Sequence, residues 1–169
     1  IEHSFEGLDI PAEVEYPTRL IGMHVDVSAH SQRIATAYKG RCKDAWWQYA
    51  DDLDAAVPTH ARTGTYFIRV ADVEEAPYGF ENGKNFSSQD VLDRGWVTTT
   101  LPERLIDGDV FLLKKKEHLD RKVVTLCPGS RTSDGGVPGV HLHGDGLVRV
   151  NYWNLRSAHD YLRFRRAIV

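Results

Sequence analysis

Along the chain, Thr-Tyr-Phe-Ile-Arg-Val at 65–70, apolar and rich in aromatic and β-branched side chains, predicts a strong strand. Upstream, Leu20 to Val27 alternates apolar and polar side chains from Met23 onward, the pattern of a half-buried strand. Residues 31–56 are helix-like in their second part, with Asp44 placed to cap AWWQYADDLDAA and Pro58 to end it. Residues 1–18, with Pro11, Pro17 and many acids, predict an irregular arm. A loop rich in turn residues follows over 74–85 (EEAPYGFENGKN). Ser87 to Asp90 then offers a cap for the short helix QDVLDR, which Gly95 stops. Thr100 caps a second helix, LPERLIDG, with Pro102 and Glu103 in its first turn. The run VFLLKKKEHLD fits helix or strand equally, and Val123 to Leu126 reads as a buried strand.

The texture changes at Cys127. PGSRTSDGGVPGV is a series of turn residues around Val137 and Val140, and Gly144 to Gly146 makes a hairpin-type turn. From Leu147 to Trp153 alternation returns. It puts Val148, Val150 and Tyr152 on one face and Arg149, Asn151 and Trp153 on the other, because strand side chains swap faces at each step. A polar loop, NLRSAHDY, leads to a closing strand, LRFRRAIV. Short strands and a few helices in sequential blocks predict an α+β domain.

With 169 residues, 41% of them hydrophobic, the chain can bury a core without staples. No apolar run approaches the roughly 20 residues that cross a bilayer. Two cysteines, Cys42 and Cys127, are too few for a disulfide scaffold or a four-thiolate zinc site. Charge is uneven. After Lys122 there are six arginines against three aspartates, so the first 122 residues carry the whole acidic excess of a chain with net charge −3. The basic part holds no lysine, which suits fixed hydrogen-bonding geometry better than diffuse phosphate attraction, so no nucleic-acid partner is expected.

His141, His143 and Asp145 form the most metal-like pattern, since on a strand they would share a face. Gly144 and Gly146 put the third residue in a turn, and no further His or Cys completes a standard set, so no metal or other cofactor is expected. Cys127 with a His and an Asp has the residue types of a nucleophile set, but no nucleophile elbow surrounds it. The tail is also compositionally selective. Beyond Lys122 there is no Lys, Glu, Gln or Met; the polar positions are filled by His, Asp, Asn, Arg, Ser and Tyr. Such stiff aromatic and short hydrogen-bonding groups favour a protein or surface structure as ligand over a small molecule.

TLCPGSRTSDGGVPGV, the alternation after it and the closing LRFRRAIV resemble the variable proteins of diversity-generating retroelements. NFSSQDVLDRG, TTLPERLIDGDVFLL and EHLDRKVVTLCPGSR resemble the segment preceding the variable region in microbial and viral members. The resemblance covers roughly residues 60–169 and implies a C-type-lectin-like fold with a diversified C-terminal ligand-binding surface. Residues 1–60 are then an N-terminal arm and helix attached to or part of that domain, 61–169 the lectin-like domain, and about 139–161 its variable region. It further implies a framework of Gly129, Ser130, Arg131, Asp134, Gly135, Val137, Pro138, Val140, Val148, Val150, Leu162, Arg163 and Arg165. The positions matching those the family diversifies are His141, His143, Arg149, Asn151, Asn154, Arg156, Ser157, His159, Asp160 and Tyr161, with Trp153 beside them. Diversification there mutates adenines in Asn-type codons ending in a pyrimidine. Those codons cannot yield Lys, Glu, Gln or Met, in keeping with the tail's composition, nor can they yield Trp, so Trp153 departs from the pattern.

The implied function is ligand display rather than catalysis. The same fold class hosts formylglycine-generating-type oxidases, which need a pair of active-site cysteines near the C-terminus, where this chain has Cys127 alone. It also hosts calcium-dependent sugar binders, which want acids and amides clustered around a proline; near Pro138 only Asp134 is offered.

Overall fold

The computed structural model describes residues 5–42 and 46–169. After an irregular arm over 5–17 come β1 (Thr18–Met23), a one-turn helix α1 (Val25–Ser28) and α2 (Ser31–Cys42). Then follow β2 (Trp46–Gln48), α3 (Leu53–Ala56), β3 (Thr59–His60) and β4 (Tyr66–Ala71). The loop over 74–85 holds a small hairpin, β5 (Phe80–Glu81) and β6 (Lys84–Asn85). Two helices come next, α4 (Ser88–Asp93) and α5 (Leu101–Lys115). The rest is β: β7 (Val124–Leu126), β8 (Ser130–Arg131), β9 (Val137–Leu142), β10 (Val148–Trp153) and β11 (Leu162–Phe164). The architecture is mixed α+β. None of its helices is long and apolar enough to cross a membrane, among the described residues.

Two expectations need correction. The helix expected over 45–56 is absent: a helix occupies 31–42, and Trp46–Gln48 is a strand beside β10. Trp46 is buried and Trp47 exposed, a two-residue alternation that the helical spacing of the longer segment masks. Only Leu53–Ala56 is helical, capped by Asp52, whose Oδ1 accepts from the Asp54 and Ala55 amides; Asp44 lies outside the described residues. The strand expected through Val27 stops at Met23, because His24 Nδ1 accepts the Asp26 amide at 3.2 Å and starts α1.

The caps at Ser87 and Thr100 form as the sequence predicts, each as a reciprocal box with the acid three residues on. The ambiguous VFLLKK run continues α5 and ends at Lys116, whose φ is 61°. That helix is buried on nearly all sides. Leu101 and Leu105 join Ile34, Tyr38 and Trp46 in one apolar core, which also takes Val140, Val148 and Val150 from one face of a five-stranded sheet. The sheet order is β11-β7-β9-β10-β2, with β9–β10 antiparallel and β2 parallel to β10. A second core packs Val124, Leu126, Val137, Leu162 and Phe164 against Phe86 and Val91. A third lies where β1 pairs with β4. Residues before 60 thus share both sheet and core with those after it.

Buried charges on α5 tie these parts together. Glu103 is bonded to Arg62 at 2.7 and 2.8 Å, and Asp107 to Arg19 at 2.8 and 2.9 Å. Arg104 reaches Asp120 at 2.8 and 3.0 Å, and Gly108, one turn on, leaves room for it: a Cβ there would stand 2.6 Å from Arg104 Nη1. Asp120, fully buried, also accepts from Arg165 (2.9 Å), the Ala76 amide (2.9 Å) and the Thr125 hydroxyl. Burial pushes its carboxyl up, but Arg165 and Arg104 outweigh burial and hold it below the usual range. The pairing therefore stabilises the fold fully above about pH 3.9, the unfolded value, and is lost as pH falls through the lower folded value. Removing one partner of a buried ion pair costs about 3–5 kcal/mol. Asp120→Ala is expected to lose about that much in urea denaturation, and Asp120→Asn to recover only part; a loss under 1 kcal/mol for Asp120→Ala would contradict the arrangement.

Candidate functional site

The hairpin β9–β10 separates two surfaces by pleat alone. In its register Val140 faces Val150 and Leu142 faces Val148, all turned toward the helices. The intervening pairs, His141 with Arg149, Gly139 with Asn151 and Val137 with Trp153, face the other way. On that second face His141, His143, Arg149, Asn151, Trp153 and Tyr161 line one open cavity of about 370 Å³. The structure thus brings six of the eleven candidate residues together.

Trp153 forms the apolar part of this surface and packs on the second core. It lies over Gly139, where a Cβ would stand 2.7 Å from the indole Cζ3 and 2.9 Å from Val124, so glycine is needed for the ring to sit flat. His141 meets the same indole edge-on at 6.3 Å and His143 at 5.8 Å between ring centroids. Tyr161 stacks with His159, ring centroids 5.3 Å apart and planes 1° apart.

The polar groups are unevenly satisfied. Asp145, in the hairpin turn, accepts from the Leu147 amide at 3.0 Å, lies 3.1 Å from His143 Nδ1 and pairs with Arg149 Nη2. The Leu147 amide, with Arg149 and His143, lowers its carboxyl to about 2. By contrast, His141 Nδ1 and Arg149 Nε are buried without a hydrogen-bond partner. A buried donor or acceptor left so costs about 1–3 kcal/mol, and two of them stand opposite each other on the cavity wall.

The remaining candidates lie outside the cavity. Asn154, Arg156, Ser157, His159 and Asp160 occupy the loop between β10 and β11, exposed except for the half-buried Ser157. Leu155 anchors this loop on the second core, and Gln89 donates its amide to the Leu155 carbonyl at 3.0 Å. Asn154 lines a separate hollow of about 180 Å³ with Asp134 and Tyr152, which Trp153 also borders.

Three residues escape the sequence pattern. Trp47 pairs with Arg149 in the β2–β10 register, stays 40% exposed and takes the guanidinium over its ring at 5.7 Å. Arg121 and Lys122 also line the cavity. The WWQ alternation is the signal that would have found Trp47; nothing local marks Arg121 and Lys122.

Cys42 and Cys127 are free and buried, and burial raises the thiols to about 11 and 12, so both are protonated at neutral pH. Among the described residues no three His, Cys, Asp or Glu side chains are grouped to hold a metal ion. In comparisons with known proteins the chain matches no family model, no curated protein and no solved structure.

Burial, with His143 and Arg149 nearby, pushes His141 down from the ordinary 6.5 to about 4. Between these values the unfolded chain binds more protons at this position than the folded one, so its contribution to stability is lost as pH falls from about 6.5 to 4. NMR titration is expected to give His141 a midpoint near 4; a midpoint near 6.5 would contradict its packing against Arg149 and Trp153.

Proposed function

We propose that this chain is a ligand-binding display protein, in which a lectin-like scaffold carries a diversified recognition surface over residues 139–161, as in the retroelement variable proteins it resembles. One observation carries the proposal. Along β9 and β10 framework and display positions alternate, and there they differ in burial. Val137, Pro138, Val140, Val148, Val150, Leu162 and Arg165 are buried, while none of the eleven candidate display residues is. A surface that changes freely has to rest on a backbone fixed by other groups, and here those are buried valines and the Arg165 bonds to the Val73 and Glu74 carbonyls. Trp153 serves both sides, as a wall of the cavity and as packing for the second core. This accounts for a tryptophan at a place where diversified codons cannot supply one.

Surface changes away from caps and cores stay within about 0.5 kcal/mol each. Replacing Asn151, Asn154, Arg156, His159 and Asp160 together by Ala is therefore expected to leave the melting temperature nearly unchanged. Val150→Asp, which buries a carboxylate between α2 and the sheet, is expected to abolish cooperative folding. A large drop in melting temperature from the five alanines would sink the division between display and scaffold.

A further inference from the structure

We infer that the cavity on the β9–β10 face takes a carboxylate, the acidic side chain of a partner polypeptide, held by Lys122, Arg149 and His141. The inference rests on the display function and narrows it to one ligand chemistry.

Three observations converge on it. First, the orphaned nitrogens, His141 Nδ1 and Arg149 Nε, sit on directly paired residues of the same cavity wall. The Arg149 Nε–H wants an acceptor and the guanidinium side edge matches a carboxylate, while His141 Nδ1 donates in the tautomer protonated there. The nearest acid does not fill this role: both Asp145 oxygens are engaged, by the Leu147 amide and His143 on one side and by Arg149 Nη2 on the other.

Second, the charge count fits a single negative charge. Arg149 is paired with Asp145, and Arg121 with Glu74 and Glu117 at 3.2 and 3.5 Å. The exposed ammonium of Lys122 has no ion pair among the described residues, leaving one uncommitted cation on the rim. A nucleic-acid backbone would call for several such cations. A lone carboxylate needs one.

Third, the cavity is amphipathic in the manner of a Glu or Asp side chain. Trp153 and Tyr161 give apolar contact for methylenes, and Lys122, His141 and Arg149 line the same cavity. Arg149 lines the cavity and is partly exposed at 28%, so its guanidinium is reachable from the opening. Trp47, already beside that guanidinium, extends the surface outward for the rest of a peptide.

The test is an NMR titration of isotope-labelled protein with two end-blocked peptides, pentaglutamate and pentaglutamine, and with inorganic phosphate. Pentaglutamate is expected to move the Arg149 Nε and Trp153 indole resonances saturably, with pentaglutamine at least about tenfold weaker. Lys122→Gln, a surface change, is expected to weaken pentaglutamate about tenfold, or about 1.4 kcal/mol, at unchanged melting temperature. Three results would overturn the inference: equal response to both peptides, phosphate bound more tightly than pentaglutamate, or no saturable shift up to about 10 mM. None of these touches the division between display and scaffold, which the melting temperature of the five-alanine chain tests separately.

Discussion

The carboxylate of Asp120 is the constraint on which the rest of this structure depends. It is fully buried, sits at φ 58°, and receives Arg104 from α5 and Arg165 from the C-terminal end. Its backbone is equally committed: the amide donates to Glu74 and the carbonyl accepts from Leu142, the last residue of β9. One residue therefore fixes the central helix, the chain's end and the start of the display hairpin relative to one another. Two arginines around one aspartate would be a poor choice for stability alone, since desolvating charges costs several kcal/mol per ion. Directional bonds make it a good choice for geometry. Misplacing any of the joined segments leaves a buried charge unpaired, so alternatives to the native arrangement are penalised.

The same logic extends along α5. Glu103, Arg104 and Asp107 point to three different parts of the molecule: Arg62 before β4, Asp120 before β7, and Arg19 on β1. The helix acts as an axle of ion pairs inside an apolar packing. These bonds use no side chain on the outward face of β9 and β10, whose structural duty is the packing of Val137 and Trp153 on the second core. On the proposed reading, freedom of sequence on the outer face follows from over-determination of the inner one, and the unpartnered nitrogens of His141 and Arg149 are where we propose that a ligand is met.

Much of this was legible in the sequence where the cause is local. Caps at Ser87 and Thr100, the turn at Gly144 to Gly146 and the alternation from Val148 to Trp153 depend on neighbours a few residues away, and each forms. The separation of Arg149 and Asn151 from the valines was readable for the same reason. What was not readable depends on distant partners. Trp46 and Trp47 become a strand because β10 offers them an edge about a hundred residues later, against a local spacing that favours helix. Asp120 lies in a run of charged residues that looks solvated, and no local feature distinguishes it from Glu117 or Lys122. Lys122 and Arg149 line one cavity only because β9 brings β7 and β10 into the same sheet, so its chemistry could not be assembled from spacing.

On the proposed reading, stability held in buried ion pairs and recognition held on an outer sheet face make a scaffold suited to diversification. Whether this chain has been diversified is recorded most directly in DNA. The decisive measurement is to sequence the region around its gene and search for a near-copy of the codons for residues 139–161 beside a reverse transcriptase gene. A template differing mainly at adenines, with changes falling at positions such as His141, Arg149, Asn151 and Asn154 while Val140, Val148, Val150 and Trp153 stay fixed, is the predicted result. A genomic neighbourhood with no such copy, or a copy whose differences fall equally on the buried valines, would contradict it.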